Sequence, residues 1–161
     1  MATKPTYLGL LNSIAVIEAG GADLFTSWAE NTKDPEVRSV LQTVALREAE
    51  HSVSFAKRID QLGFAVHDRP DPKLADRIAI AKSKKLTDRE KFEQLGFGAP
   101  RPDPFGKFFD DTTIDIETGT LLGRFVSEER DTARRLDACY ATLSKKSGAK
   151  PKSTKARSKK S

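Results

Sequence analysis

From Val37 to Leu62 the chain sets apolar side chains at steps of three and four, through Val37, Leu41, Val44, Phe55, Ile59 and Leu62. A helix puts those positions on one face, and no strand does. The segment also carries its own punctuation. Asp34-Pro35-Glu36 opens it, because an Asp side chain accepts from the free N–H groups of a first turn and proline at the first helical position leaves none unpaired. Gly63 closes it with the left-handed backbone that ends many helices. A second stripe, Leu11, Ile14, Ala22, Phe25 and Ala29, predicts a helix from about Thr6 to Asn31, weakened locally by Gly20 and Gly21. The link between the two is short, so they are expected to pair antiparallel as a hairpin.

Beyond Gly63 the pattern thins. "DPKLADRIAIAKSKK" offers an Asp-Pro start and about two turns of apolar stripe, and "TDREKFEQLG" opens with a capping box, Thr87 with Glu90. Two short helices are expected between Phe64 and Gly106, joined by the turn-rich connector "GAPRPDPFG". A last long helix is predicted from about Thr113 to Leu143, on Ile114, Thr118, Leu121, Phe125, Thr132, Leu136, Cys139 and Leu143. An earlier start near Asp103-Pro104 would carry it through Phe108 and Phe109. No segment alternates as a half-buried strand would, and no Asn-Gly or Asp-Gly hairpin occurs. The expected fold is all-α: an up-down helical bundle over residues 1–144, with three long helices and a short, broken third element.

Charge separates body from tail. Eight of the 28 basic residues fall between Lys145 and Ser161, which holds no Asp or Glu; the other 20 face 23 acidic residues, a balance of −3. Residues 145–161 are expected to be a disordered Lys-rich tail, whose natural partner would be a polyanion such as nucleic acid, held weakly and released by salt. The single cysteine excludes an internal disulfide, and the opening stretch lacks the apolar run of a membrane span or signal peptide. A soluble cytoplasmic protein is the expectation.

The long stripes contain residues that do not belong in a core. Glu18, Glu48 and Glu128 each fall near the middle of an apolar face, His51 follows Glu48 by three residues, and Asp131 follows Glu128 by three. An unpaired buried carboxylate costs several kcal/mol, against about 1.5–3 kcal/mol gained by burying a Leu or Ile. Three of them call for a shared cation or a hydrogen-bond network. Carboxylates with imidazole suit iron, manganese or zinc better than calcium or magnesium.

"AVIEAGGADLFTSWAE" on a first helix, followed by "EAEH" (Glu48 to His51) on a second, resembles the ferritin-like superfamily of rubrerythrin and bacterioferritin type. The resemblance implies a four-helix bundle holding two metal ions. It implies Glu18 as a first-helix ligand, Glu48 as a bridging carboxylate and His51 as a terminal imidazole. "SEERD" (Ser127 to Asp131) resembles the last-helix motif, which makes Glu128 the second bridging carboxylate and puts Asp131 where that motif has histidine. No third-helix glutamate matches. The function implied is iron-dependent handling of peroxide or dioxygen, or iron oxidation, by an oxidoreductase holding two iron ions or one, with manganese as the other metal. The alternative is a metal-free helical interaction or stress-protection module, its inward carboxylates satisfied by Arg47, Arg124, Arg130 or Lys57. In either case the absent long fourth helix leaves an apolar flank, and a homodimer or larger assembly is expected to cover it.

Overall fold

The computed structural model describes residues 3–99 and 101–148, and among these the ordered elements are helical, with no strand. In chain order they are α1 (Leu8–Asn31), α2 (Pro35–Gln61), α3 (Leu74–Lys82), α4 (Asp88–Gln94), a 3-10 turn at Phe105–Phe109, and α5 (Ile116–Gly148). The caps form as the local chemistry dictates. Asp34 Oδ1 accepts from the N–H groups of Glu36 at 2.9 Å and Val37 at 3.3 Å, and Gly63 ends α2 with φ +83°. Thr87 and Glu90 form the reciprocal box at the start of α4.

α2 is the central helix. It packs along α1 as the antiparallel hairpin and also lies against α5, whereas α1 and α5 have no comparable backbone approach. Side chains from all three meet in two separate apolar clusters. One gathers Trp28, Leu41, Val44, Phe92 and Leu136; the other gathers Leu11, Phe55, Ile59, Leu122 and Phe125. α5 enters the second cluster first and the other later, as α1 does, so these two helices run parallel and α2 runs opposite to both. Fully buried groups such as Trp28, Phe55 and Leu41 stabilise the clusters by about 1.5–3 kcal/mol apiece. Between the clusters lies one polar layer.

The connections have specific anchors. Buried Asn12 on α1 donates to the His67 carbonyl at 3.0 Å and accepts from the His67 N–H at 2.7 Å, which pins the crossover that follows α2. α4 is held by Asp88, which accepts from the Trp28 indole N–H at 2.8 Å and the Thr32 hydroxyl at 2.6 Å. The Pro-rich connector then runs from Phe97, in the first cluster, to Phe105, packed against the second.

Three details depart from expectation. α5 begins at Ile116 and does not absorb Phe105–Phe109, whose short 3-10 turn is separate. α5 also continues through Gly148, so Lys145 and Lys146 are helical and not part of a disordered tail. Lys146 reaches back to Glu36 at 3.4 Å and Asp34 at 3.6 Å, the acidic side chains at the start of α2. Residues 149–161, the rest of the expected tail, lie outside the described residues. Finally, α1 is by length and composition apolar enough to cross a membrane, although here its apolar face is packed inside the bundle.

Candidate metal centre

The polar layer is built by three helices. Glu18 comes from α1, Glu48 and His51 from α2, and Glu128 and Glu129 from α5. The His51 ring is almost fully enclosed, with Phe125 edge-on at 5.0 Å between centroids. Its two nitrogens face different partners. Nδ1 lies 3.0 Å from a Glu18 oxygen and 3.7 Å from Glu129 Oε1, whereas Nε2 lies 2.6 Å from Glu128 Oε2. One ligand atom each from Glu18, His51 and Glu129 falls within 4.8 Å of the others.

Of the five expected ligands, Glu18 and His51 meet at this point. Glu128 is adjacent but stands on the far side of the ring, where it also accepts from Arg124 Nε at 2.9 Å. Glu48 is buried in the same layer, with its carboxylate against Gly21 of α1. Asp131 is not part of the layer. Arg47 at 2.7 Å and Arg135 at 2.6 Å hold it, with Arg134 at 3.5 Å, on the rim of α2 and α5. Three guanidiniums saturate that carboxylate and leave it nothing to offer an internal ion.

Glu129 is the member that sequence reasoning missed. A stripe drawn through Leu121 puts Glu128 on the inner face of α5. The buried set is Thr118, Leu122, Phe125, Val126, Thr132 and Leu136, and Glu129 falls on the same face, four residues after Phe125 and three before Thr132. The signal was present in Leu122, which continues that series as well as Leu121 continues the other.

The electrostatics follow from this packing. Burial, aided by the charges of Glu18 and Glu129, pushes the Glu48 carboxyl up to about 9, so it is a neutral acid at pH 7. Burial and Glu18 push Glu129 up to about 7. For His51 burial works toward lower basicity, but the bonds to Glu18 and Glu128 outweigh it and the pKa is raised. Glu128 moves the other way: burial opposes the shift, yet His51 and Arg124 hold the carboxyl below its ordinary range. Glu129 Oε1 is buried and has no hydrogen-bond partner. Cys139 is no rival nucleophile, since burial pushes its thiol up to about 11.

Beside this layer is a cavity of about 990 Å³ whose wall includes Glu18, Glu48 and Glu129. A buried cluster of acidic groups therefore meets a half-open cavity large enough for a small molecule.

No family model, no curated protein and no solved structure matches this chain. Fold and site define its class on their own terms, as an all-helical bundle with a carboxylate–imidazole cluster between two apolar layers.

Proposed function

We propose that this chain is a ferritin-like metal protein that holds a transition-metal ion, iron in the first place and manganese as the alternative, between Glu18, His51 and Glu129. The observation that carries the reading is Glu129 Oε1, a buried acceptor without a donor, 3.7 Å from the nitrogen that also faces Glu18. Leaving such a group unsatisfied costs about 1–3 kcal/mol, and a cation bound by all three residues removes that penalty. The donor set fits iron or manganese by type: two carboxylate oxygens and one imidazole nitrogen.

The chain's own residues assign the roles. His51 binds through Nδ1. Its Nε2–H donates to Glu128, which fixes the tautomer and orients the ring, as carboxylates commonly do for metal-bound histidine. Glu128 is thus a positioning residue. Arg124 in turn fixes Glu128. Bound iron would supply one-electron chemistry toward dioxygen or peroxide; the two apolar clusters above and below would shield two sides of the site and leave the cavity as its approach. These three ligands support one ion. A second would need Glu48, which must first lose the proton that burial keeps on it.

A metal-free bundle is the second reading, favoured by the hydrogen bonds on both His51 nitrogens. There a doubly protonated imidazole would itself be the cation shared by Glu18 and Glu128. Arg124 would complete the neutralisation through Glu128, whereas Arg47 is paired with Asp131 on the rim and Arg130 with Asp103 away from the layer. Residence in the cytoplasm and assembly as a homodimer belong to the same proposal. Leu46 and Val53, two turns apart on α2 and largely exposed, support a covered face. Weak contact of the Lys-rich C-terminus with nucleic acid completes it.

The test is anaerobic titration of chelator-treated protein with Fe(II) and Mn(II), with metal analysis after gel filtration. One ion per chain is expected, lost in Glu18→Ala and Glu129→Ala, and aerobic iron oxidation that follows the same pattern. Absence of stoichiometric binding in folded protein leaves the imidazolium reading.

A further inference from the structure

In a four-helix bundle each helix occupies one corner of a square. Here α2 occupies the corner between α1 and α5, and the opposite corner has no long helix, only the short α3 packed on α1 and the short α4 on α5. Phe97 and the irregular stretch 101–104, whose Pro102 and Pro104 oppose a helix, border the same corner together with Phe105. The cavity of about 990 Å³ is the space left over, and α1, α5 and the connector all contribute to its wall.

The wall has a definite chemistry. Leu74, Phe97 and Phe105 supply apolar surface, Arg69, Arg77 and Arg101 supply guanidiniums, and Asp23, Asp68 and Asp71 add carboxylates to those of the metal layer and Asp103. Arg101 lies 4.9 Å and Arg77 6.0 Å from the centroid of the same Phe97 ring. Arg130 and Arg134, also on the wall, are paired with Asp103 and Asp131. Arg69, Arg77 and Arg101 make no ion pair among the described residues, although Arg77 is half-buried. Two guanidiniums gathered on one ring repel each other, and the aromatic face offsets this only partly. An anion between them reverses the sign of the interaction, and guanidinium geometry favours carboxylate or phosphate.

We propose that the cavity in this corner, between α1, α3 and α5, is a binding site for a small amphiphile with an anionic head, the head held by Arg77 and Arg101 and the apolar body lying along Leu74, Phe97 and Phe105. Glu18 and Glu129 are on the same wall, so the ligand would lie beside the metal cluster. As a ligand of the cavity it stands independently of the metal. Only its role as substrate of the metal centre rests on the function proposed above.

The experiment is calorimetric titration of chelator-treated, full-length protein with octanoate, octyl phosphate, octanol and octylammonium, each below its micellar concentration. Octanoate or octyl phosphate is expected to bind one per chain and at least tenfold more tightly than octanol or octylammonium; which of the two is tighter identifies the head. Arg77→Gln with Arg101→Gln should weaken the anionic probe at least tenfold while leaving octanol unchanged. Ala133→Trp, which fills the cavity, should weaken every probe. Circular dichroism melts establish that each variant is folded. Equal binding of octylammonium, or full retention of anion binding in the double arginine variant, overturns the proposal. So does a lack of binding in a protein that light scattering shows to be a dimer, if Ala133→Trp splits that dimer, because a second copy then fills the corner. Anion binding without metal uptake would sink the metal reading alone, and metal uptake without anion binding would sink this one alone.

Discussion

Gly21 of α1 and Glu48 of α2 claim the same volume: a Cβ built on residue 21 falls onto the Glu48 carboxylate. Helical glycine is ordinarily a weakness that alanine repairs, by about 1 kcal/mol. Here glycine is what allows a carboxyl group to lie between two close helices. Gly21→Ala is therefore expected to lose about 1–2 kcal/mol in urea unfolding, with Glu48 driven toward Glu18 and Glu129. In a Glu48→Ala background the same substitution should instead stabilise, by up to about 1 kcal/mol. Additive effects in that double-mutant cycle would separate the two residues.

The buried acids set a pH dependence whose sign can be worked out. Glu48 moves from 4.5 up to about 9 and Glu129 from 4.5 up to about 7, so the folded chain holds protons that the unfolded chain has released. Stability present below pH 4.5 is then lost as pH rises, the Glu129 share by about 7 and the Glu48 share by about 9. His51, raised above 6.5, acts in the same direction from that pH upward. Urea midpoints of chelator-treated protein should fall from pH 5 to 9. Glu48→Gln should flatten the fall between pH 7 and 9, with a gain on the order of a few kcal/mol at the upper end. Bound metal should oppose the trend, because its ligands bind it deprotonated. A flat profile for the wild-type protein would mean that Glu48 is hydrated.

Asp88 joins α4 to the bundle through two donors on α1 and its exit, Trp28 and Thr32. Trp28 is fully buried, so its indole N–H has no water to turn to. Asp88→Ala is expected to cost about 2–4 kcal/mol, and Asp88→Asn, which keeps an acceptor for the indole, distinctly less. Tryptophan fluorescence reports it directly, since Trp28 is the sole tryptophan and should shift to the red if α4 detaches.

Much of this was legible in the sequence because it is local. The α1–α2 hairpin, the Asp34 cap, the Thr87–Glu90 box and the helix end at Gly63 follow from spacing and from single residues with strong backbone preferences. The inward placing of Glu18, Glu48 and His51 follows from the same periodicity. What periodicity leaves open is rotation: Glu128 and Glu129 differ by about 100° around α5, and both lie close to the buried face. Packing of Leu122 against the second cluster decides between them. Asn12 was illegible for another reason, since its partner is a backbone 55 residues away. Nor does any sequence pattern announce the cavity between α1, α3 and α5, since it depends on how the short α3 packs on α1, a contact between segments far apart in the chain.

The division of labour at the metal layer gives the final prediction. Glu18 and Glu129 share one face of the imidazole, Glu128 holds the other nitrogen, and Asp131 is tied outside by three arginines. Substitution should therefore sort the four acids by more than degree. Glu18→Ala and Glu129→Ala are expected to abolish stoichiometric Fe(II) binding. Glu128→Ala should lower affinity about 10–100-fold without changing stoichiometry, and Glu128→Gln, which still accepts from Nε2–H, should lower it less. Asp131→Ala should leave both affinity and stoichiometry as they are, because its partners lie on the rim and are screened by solvent. Glu48→Gln discriminates nuclearity: one ion per chain is unaffected, whereas a two-ion site loses one. Binding that survives Glu129→Ala but is lost in Asp131→Ala would invert the assignment and require α5 to rotate by about half a turn in solution.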